Sequence, residues 1–488
     1  MNKMKKMTNL FMTVMACLLF IHPLTAQIKL PAIISSNMVL QRNTEVALWG
    51  WAGSNEEVTI EASWLNSPVK VKADQEGNWK TTVNTTASKE PQTLTISGKS
   101  SKNVLGNVLF GEVWLCSGQS NMQQPLKGYQ GQPTFGSQAT LLKSNNPNLR
   151  LFSVDRIGSK VPIEELQGYQ PWQQATPDNV VDFSAVGYFF ASQLQEALDV
   201  PVGIIHSSWG GSLVEAWISR DVLSKFQEID LTEADAEGRG NRVPTSLFNS
   251  MINPLIPYTL QGFLWYQGES NRLNPEEYKS LFPAMVEDWR NRWQIGDIPF
   301  YYVQIAPYRY SGDEGFVQSF ENSAFIREAQ LQCLDLIPNS GMAVTMDIGD
   351  SISIHPPKKK EVADRLLYIA LNQTYGLEGV DGASPVYDSY EKRDNGMLLK
   401  FKHAETGLYA LDELNGFEIA GEDKVFHPAE AKIVERNYVL VSSEKVPEPV
   451  AVRYAWKNWT EGTLYDVNLL PAPSFRTDNW QEASRAAE

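Results

Sequence analysis

Four short segments place serine, glycine, glutamine, glutamate and histidine in turn-like contexts where such side chains could carry out hydrolytic chemistry. They are GQSNM at 118–122, HSSWGGS at 206–212, YQGES at 266–270 and DIGDSISIHPP at 347–357. Each follows a run of residues that predicts a strand, and sites in open α/β sheets gather at the carboxyl ends of strands. A hydroxyl nucleophile, backbone amides and a base could therefore meet at one edge of a sheet.

Ser120 is the candidate nucleophile. Its Gly-Gln-Ser-Asn turn at a strand end would expose the hydroxyl and leave nearby backbone N–H groups free to stabilise an oxyanion. A serine in a glycine-containing turn is common, so this string alone is a weak signal. The sequence also lacks GxSxG around Ser120, and it therefore does not predict the ordinary α/β-hydrolase elbow.

A hydrolytic serine needs a base near neutral pH, which histidine usually supplies. Beyond residue 26 the chain offers His206, His355, His403 and His427. The last two fall in a C-terminal β-rich region, where a packed or solvated role is expected. His206 ends an apolar strand just before a glycine pair and is interpreted as structural. His355 lies in a loop stiffened by the two prolines that follow it, so elimination favours His355 as the base.

The second and third segments add candidates without fixing their roles. The pair Gly210-Gly211 supplies backbone that can approach a ligand closely, although a plain turn into a helix explains it equally well. Gln267 and Glu269 project from a predicted strand end. The Gln267 amide could donate to an oxyanion, while Glu269 could cap the turn, orient neighbours or act as an acid.

Two regions of β character flank a central region of alternating strands and helices. Residues 27–109 contain short runs such as VALWGWA and EVTIEAS, separated by turn clusters, and predict a small sandwich-like domain. Residues 384–488 show strands and turns again. We therefore predict an N-terminal β domain at 27–109, a catalytic domain at 110–383 and a C-terminal β region at 384–488.

The central region must position the four segments. Expected strands at EVWLCSG, 202–206, LQGFLWYQG, FYYVQIAP and MAVTMDIG alternate with expected helices at 186–198, 276–293, 324–336 and 358–375. Such alternation implies right-handed crossovers and a mainly parallel sheet flanked by helices on both faces. The predicted fold class is α/β.

The first 26 residues predict a signal peptide rather than part of the fold. Three lysines near the start precede an apolar run at 10–21, which is short for a membrane span, and a small-residue exit follows. Cleavage before Gln27 would give a secreted or periplasmic protein. Lipidation at Cys17 is a competing interpretation, which the apolar run beyond Cys17 disfavours. No other stretch predicts a membrane span.

The composition excludes several kinds of partner. Loss of the signal peptide removes three lysines and no acid, so the net charge falls from −15 to −18. So acidic a protein is a poor partner for nucleic acid or an anionic membrane. Cys116 and Cys333 remain and could form one disulfide or stay as two buried thiols. No CxxC or HxxxH spacing predicts a zinc site.

The four segments, taken in this order, resemble the sialate O-acetylesterase family of the SGNH-type hydrolases. Its nucleophile, glycine, third and histidine blocks are matched by GEVWLCSGQSNM, IIHSSWGGSLVEAWIS, FLWYQGESN and IHPPKKKEVADRL. The first of these is the most specific. NMVLQRNTEVALWGWA near the start and GFEIAG, AVRYAWKNW and PAPSFRTDNW near the end are also similar. The resemblance therefore covers most of the chain.

The resemblance implies a carbohydrate acetylesterase that works through an acetyl-enzyme. Ser120 would be the nucleophile and His355 the base. The oxyanion would be held by the backbone N–H groups of Ser120 and Gly211, with the Gln267 side chain as a third donor. This chemistry requires no metal and no cofactor.

The chain departs from the family at the acid that usually stands two residues before the histidine, because Ser353 occupies that position. The nearest acids are Asp347 and Asp350. The enzyme could run as a Ser–His dyad, with a backbone carbonyl or Ser353 holding the imidazole. Alternatively, Asp350 could reach in from an altered loop, or activity could be lost.

The motifs do not choose the sugar. An O-acetylated sialic acid carries a carboxylate that an arginine would suit, and Arg272, just after the third block, is a candidate, although a solvated surface arginine is the simpler interpretation. Glu269 is the other candidate substrate-binding residue. Acetylated plant polysaccharide such as xylan is the close alternative. A non-catalytic glycan-binding relative is a different class, favoured by the missing Asp and opposed by the retained serine, glycine and histidine. A glycosidase needs two facing carboxylates, and only Glu269 stands out.

Overall fold

The structure is a computed structural model that describes residues 27–236, 239–310 and 322–480, together with the backbone of 484–485. The predicted signal peptide and Cys17 lie outside these residues. The first seven strands are β1 Val39–Gln41, β2 Glu45–Trp51, β3 Glu57–Ala62, β4 Val69–Lys72, β5 Asn78–Asn84, β6 Gln92–Ser97 and β7 Lys102–Gly118. Antiparallel pairs join β2 to β5, β3 to β4 and β3 to β6. The predicted N-terminal strands are therefore present.

The next six strands complete the central sheet. They are β8 Asn146–Val154, β9 Tyr169–Ala175, β10 Val202–Ser208, β11 Gly262–Tyr266, β12 Phe300–Val303 and β13 Ser340–Ala343. The strand order is β13-β12-β11-β7-β10-β8-β9. Neighbours in this order are parallel, except that β9 runs antiparallel to β8 at the edge. The carboxyl ends of β7, β10 and β11 thus lie side by side.

Strand β7 joins the N-terminal strands to the central sheet. Its first part pairs antiparallel with β6, and its last part pairs parallel with β10 and β11. Every residue from Val108 to Gly118 is buried, as expected for a strand covered on both faces. The predicted boundary at residue 109 therefore falls within a continuous strand.

The predicted α/β class is confirmed in a coarser form, as a mixed sheet with helices and additional β regions. The whole sheet has 11 strands and is mixed, because β9 and the N-terminal strands β3, β4 and β6 join it through antiparallel pairs, whereas β1 pairs parallel with β7. The long predicted helices are present within one or two residues, except that the last one is shorter. Their observed bounds are Ala185–Leu198, Pro275–Trp293, Ala324–Leu336 and Lys359–Ile369.

The shorter helical segments include single turns that shape the strand ends. They are Ser120–Gln123, Ser137–Leu141, Pro177–Val180, Val214–Trp217, Arg220–Leu223, Thr232–Ala236, Phe248–Ile252, Asn253–Leu255, Glu269–Asn271 and Ala370–Thr374. The helix Ala185–Leu198 begins where the Ser184 hydroxyl accepts a hydrogen bond from the Gly187 N–H, a typical N-cap. Most of its residues are buried against the sheet.

The C-terminal region is built of short strands, as predicted. They are β14 Val386–Arg393, β15 Gly396–Lys402, β16 Leu408–Ala410, β17 Phe417–Ala420, β18 Val425–Pro428, β19 Glu430–Val434, β20 Tyr438–Ser442, β21 Ala451–Tyr454, β22 Leu464–Asp466, β23 Phe475–Arg476 and β24 Ser484–Arg485. Their pairings are antiparallel apart from β18 with β24. Buried Arg327, on the helix Ala324–Leu336, donates to the Ala455 carbonyl and so ties this region to the central one.

Both cysteines of the described chain are free and buried. Burial raises the pKa of Cys116 far above its ordinary range and that of Cys333 to about 12. Both thiols therefore stay protonated and serve as small apolar side chains. Across the described residues, no helix combines the length and apolar character needed to cross a membrane.

Candidate active site

Ser120 lies at the carboxyl end of β7, in the turn that the sequence predicted. Gly118 ends the strand with φ +133°, and a Cβ there would overlap the Tyr266 carbonyl oxygen, so the turn requires glycine. The Gln119 N–H then donates to that same carbonyl at 2.9 Å. Ser120 follows as the first residue of a helical turn, half-buried, and no described side chain is hydrogen-bonded to its hydroxyl.

The glycine segment lies directly beside Ser120. A Cβ on Gly210 would be 3.1 Å from Ser120 Cβ, so these backbones are in close approach. The Gly210 N–H donates to Gln123 Oε1 at 2.6 Å, and Asn241 Nδ2 donates to the Gly210 carbonyl at 2.6 Å. Gly211 adopts φ +74°, a left-handed conformation that glycine accepts without strain. The backbone N–H groups of Ser120 and Gly211 have no acceptor among the described residues.

Gln267 does not present its amide to this opening. Its Nε2 donates to the Ser212 carbonyl at 3.0 Å and to Asn271 Oδ1 at 2.7 Å, which uses both of its N–H groups. The side chain is fully buried. The prediction of Gln267 as an oxyanion donor is therefore not met in this geometry. Gln267 instead holds the carbonyl of Ser212, the residue after Gly211, and so helps to fix the glycine turn.

His355 lies in the loop before the helix Lys359–Ile369, against a loop that follows the nucleophile turn. Its Nδ1 is 2.5 Å from Gln132 Oε1, and its ring meets the Tyr129 ring edge-on at 5.3 Å between centroids. Tyr129 in turn donates to the Ser120 carbonyl at 3.2 Å. If Gln132 Oε1 accepts, Nδ1 carries the proton and Nε2 is left as the basic nitrogen.

The electrostatic surroundings keep His355 neutral. Burial, reinforced by the charge of Lys359, lowers the pKa of its imidazole to about 4. Nε2 is buried and has no hydrogen-bond partner among the described residues, and the Ser120 hydroxyl is likewise unbonded. The hydrogen bond between serine and histidine is thus not made in this state, and such bonds often tighten only around substrate.

The candidate acids near His355 are engaged elsewhere. Asp350 Oδ1 accepts from the backbone N–H groups of Ile352 and Ser353, at 2.7 and 3.1 Å, and so shapes the loop without contacting the imidazole. Asp347 forms a two-bonded ion pair with Arg365. The prediction that Asp350 reaches the ring is therefore not met, because its oxygen is committed to the backbone.

Ser353 also fails to hold the ring. Its hydroxyl lies 3.1 Å from the His355 carbonyl and 3.2 Å from the His355 N–H, so it bonds only the backbone of that residue. The neutral amide of Gln132 is the group found at the nitrogen where a carboxylate would be expected. His206, by contrast, lies in β10 and bonds Ser208 Oγ within that strand at 2.5 Å, as a structural residue would.

The two candidate substrate-binding residues lie just beyond β11. Glu269 is buried, and its Oε1 accepts from Asn121 Nδ2 at 2.5 Å, while Oε2 has no partner among the described residues. Burial raises the pKa of Glu269. Arg272 is half-buried, with its guanidinium 4.3 Å from the centre of the Tyr310 ring, and no described carboxylate pairs with it.

Four residues that contact these groups were not singled out from the sequence. Asn121 and Lys359 lie inside the nucleophile and histidine blocks, so their position was an available signal. Tyr129 and Gln132 lie in the loop GYQGQ, which belongs to none of the four blocks and gives no such signal. In the part of the chain that the structure describes, no cluster of three metal-ligating side chains is found.

The site has the arrangement of an α/β ester hydrolase, with a serine at a strand end, free backbone amides beside it and a neutral histidine on the neighbouring loop. Comparison with known proteins agrees that this chain is a carboxylic-ester hydrolase. It belongs to the family described as carbohydrate esterase, sialic acid-specific acetylesterase, which it matches over residues 110–362. The family expected from the sequence is thereby confirmed.

Individual relatives extend the similarity to most of the chain. The sialate O-acetylesterase of Mus musculus is 30% identical over 427 residues, covering 76% of this chain and 77% of the mouse protein. That of Homo sapiens is 29% identical over 497 residues, covering 91% of each chain. The crystal structure of a carbohydrate acetylesterase from Xanthomonas citri is 34% identical, with TM-score 0.84, and covers 93% of this chain and 100% of that one. These relatives favour an enzyme over the non-catalytic alternative.

Proposed function

We propose that this protein is an exported carbohydrate O-acetylesterase that removes O-acetyl groups from sialic acid by a serine acyl-enzyme mechanism of the SGNH type. The observation that carries the mechanism is the close approach of the Gly210 backbone to Ser120, with the N–H groups of Ser120 and Gly211 both unpaired among the described residues. Export rests on the signal-peptide pattern of the first 26 residues, which lie outside the described part of the chain.

In the first step, Ser120 Oγ attacks the carbonyl carbon of the acetyl group. His355 Nε2 takes the hydroxyl proton, and the carbonyl oxygen becomes an oxyanion. When the tetrahedral intermediate collapses, the bond to the sugar oxygen breaks and the imidazolium returns its proton to that oxygen. Water then attacks the acetyl-enzyme, again giving a proton to His355, and acetate leaves as Ser120 regains its hydroxyl hydrogen.

The oxyanion would be stabilised by the two free N–H groups of Ser120 and Gly211. Donors fixed in advance stabilise charge that develops in the transition state, and losing one typically costs about 10²- to 10³-fold in rate. The turn that carries the Ser120 N–H is held by the hydrogen bond from the Gln119 N–H to the Tyr266 carbonyl, and Gly211 lies between two residues that side chains hold. Asn241 and Gln123 fix Gly210, and Gln267 fixes the carbonyl of Ser212.

His355 would act as the base in a Ser–His dyad, with the Gln132 amide supporting its imidazole. A histidine whose pKa is held near 4 is neutral at physiological pH and can accept a proton. Gln132 would set its tautomer and orientation, which is the positional part of what the carboxylate does in a triad. It would not supply the negative charge that stabilises an imidazolium.

The choice of sialic acid is supported by the family description and by the names of the mouse and human relatives. The unpaired charge of Arg272 would suit the carboxylate of this sugar. An acetylated plant polysaccharide such as xylan, which is neutral in its backbone, would make no use of that charge.

Two measurements test the proposal. Hydrolysis of p-nitrophenyl acetate by wild type and by Ser120→Ala should differ by several orders of magnitude, and equal rates would refute the serine mechanism. Acetate release should then be compared between 9-O-acetylated sialic acid and acetyl-xylooligosaccharides. A higher kcat/KM on the xylooligosaccharides would overturn the sugar assignment while leaving the mechanism in place.

A further inference from the structure

A charged side chain is buried immediately behind the candidate active site. Lys359 begins the helix that follows the histidine loop and is only 1% exposed. Its ammonium donates to Asn121 Oδ1 and lies 5.7 Å from the centre of the Tyr266 ring. A buried ammonium is costly unless it is paired and hydrogen-bonded, so its surroundings must compensate for the charge.

Asn121 connects this ammonium to the two loops that carry the reacting groups. Its Nδ2 donates to Glu269 Oε1 at 2.5 Å and to the Ile354 carbonyl at 3.1 Å, while its Oδ1 accepts from Lys359. Both of its N–H groups and its oxygen are therefore used. Asn121 directly follows Ser120 in the chain, and Ile354 directly precedes His355. One buried amide thus joins the residue next to the nucleophile to the residue next to the base.

We propose that Lys359 and Glu269, acting through Asn121, are positioning residues that hold the His355 loop in register with the Ser120 turn. This inference rests on the proposed function, in which Ser120 and His355 react together. The hydrogen bonds of Lys359, Asn121 and Glu269 reach neither the Ser120 hydroxyl nor the His355 ring, so Glu269 is assigned to positioning rather than to substrate binding. The effect of this network is on geometry, and a misplacement of about 1 Å can cost on the order of 10²-fold in rate.

The charges around Lys359 give the network a second effect. The titratable groups that face its ammonium are Glu269, Tyr266 and His355. Burial lowers the pKa of Lys359 to about 7, with the Glu269 carboxylate acting in the opposite direction. The positive charge in turn helps to lower the pKa of His355. Lys359 therefore influences both the position of the His355 imidazole and the pH above which this imidazole is neutral and can act as a base.

The test compares Lys359→Met, which keeps the length of the side chain and removes its charge, with Lys360→Met as matched control. Lys360 is the next residue, exposed, and paired with Asp364 on the outside of the helix. Lys359→Met should lower kcat by about 10- to 100-fold with little change in KM. The acid limb of its pH–rate profile should move towards neutral pH, while Lys360→Met should resemble wild type. An unmoved acid limb in a folded Lys359→Met would overturn the electrostatic effect.

Asn121→Ala completes a double-mutant cycle. If the amide transmits the effect of Lys359, the double variant should lose little more activity than either single variant. Additive losses would overturn the positioning role. Should Lys359→Met fail to fold, as judged by circular dichroism, the same cycle between Asn121→Ala and Glu269→Gln decides the question.

Ser120→Ala is measured in parallel. If it keeps full activity, the proposed function itself fails. If it is inactive while the cycle is additive, only this inference fails.

Discussion

His355 Nδ1 lies 2.5 Å from Gln132 Oε1, so a neutral amide occupies the place where serine hydrolases usually have a carboxylate. The two residues are 223 positions apart, and the contact exists because the loop after the nucleophile turn packs on the histidine loop. The Phe135 N–H donates to the Pro357 carbonyl at 2.9 Å across the same junction. An amide can orient the ring and fix its tautomer, but it cannot stabilise the imidazolium by charge.

Gln132→Ala should therefore lower kcat by about 10- to 100-fold, because the imidazole loses the partner that fixes its orientation. Gln132→Glu should keep the hydrogen bond and add a charge, which raises the pKa of His355 and shifts the acid limb of kcat/KM to higher pH. The measurement is the pH–rate profile with p-nitrophenyl acetate. Asp350→Asn and Ser353→Ala serve as comparisons. If Asp350→Asn is the slower variant and Gln132→Ala has no effect, the assignment of Gln132 is wrong.

Wild-type activity should persist to unusually low pH for an enzyme with a histidine base. Burial and the nearby Lys359 charge lower the pKa of His355 to about 4, so the resting imidazole is mostly protonated, and unable to act as the base, only below that pH. The rate should rise with pH through about 4 and be level by about 6, where an ordinary histidine would still be mostly protonated. Circular dichroism over the same range separates this limb from acid unfolding. A limb near 6.5 would contradict the prediction.

Gly211→Ala should damage catalysis more than stability. A Cβ at φ +74° is strained, and it would lie 3.2 Å from Asn241 Nδ2, so the backbone N–H should turn away from the oxyanion position. We expect kcat to fall by about 10²-fold. Gly376→Ala is the matched control, because Gly376 has φ +67° with open space around its Cβ position. Both variants should lose about 1 to 2 kcal/mol of unfolding free energy, and equal kcat values would exclude Gly211 from the oxyanion hole.

Gln267→Ala distinguishes a structural role of the Gln267 amide from a direct role as an oxyanion donor. Because its donors are used by Ser212 and Asn271 inside the fold, its removal should lower the melting temperature and kcat together. The Ser212 carbonyl would lose its donor, which corresponds to about 1 to 3 kcal/mol of unfolding free energy, whereas Asn271 Oδ1 keeps the hydrogen bond from the Val214 N–H. Thermal unfolding and kcat are measured on the same preparation. A large fall in kcat with an unchanged melting temperature would restore Gln267 as a direct oxyanion donor.

The sequence predicted the central strands and helices well because apolar runs and helical periodicity are local signals. It did not reveal that β7 crosses the boundary at residue 109, since a continuous strand and two adjoining strands have the same local pattern. Strands β8 and β9 were also missed. The sequence of β8, NPNLRLFSV, begins with polar residues and so lacks a clear strand pattern. The register of its pairing with β9 is also irregular.

The site could be predicted only as far as its local blocks reach. Ser120, Gly211 and His355 stand in turns that the chain itself marks by glycine or proline. The partners of His355 could not be found in this way, because Gln132 comes from another loop and bonds to it only in the folded chain. Gln267 was placed correctly at the strand end, but its rotamer is decided by the Ser212 and Asn271 acceptors around it.

Arg272 provides a test of whether the substrate is an acidic sugar, and this test does not depend on the catalytic mechanism. Its guanidinium stacks on Tyr310 and has no carboxylate partner among the described residues, so it can bind an anionic group at little cost. Arg272→Ala should raise KM for 9-O-acetylated sialic acid by about tenfold and leave p-nitrophenyl acetate hydrolysis unchanged. Arg309→Ala, which removes an arginine of the neighbouring segment beside Tyr310, serves as the control. Equal effects of Arg272→Ala on the acidic sugar and on a neutral acetylated sugar would show that this arginine does not bind the carboxylate.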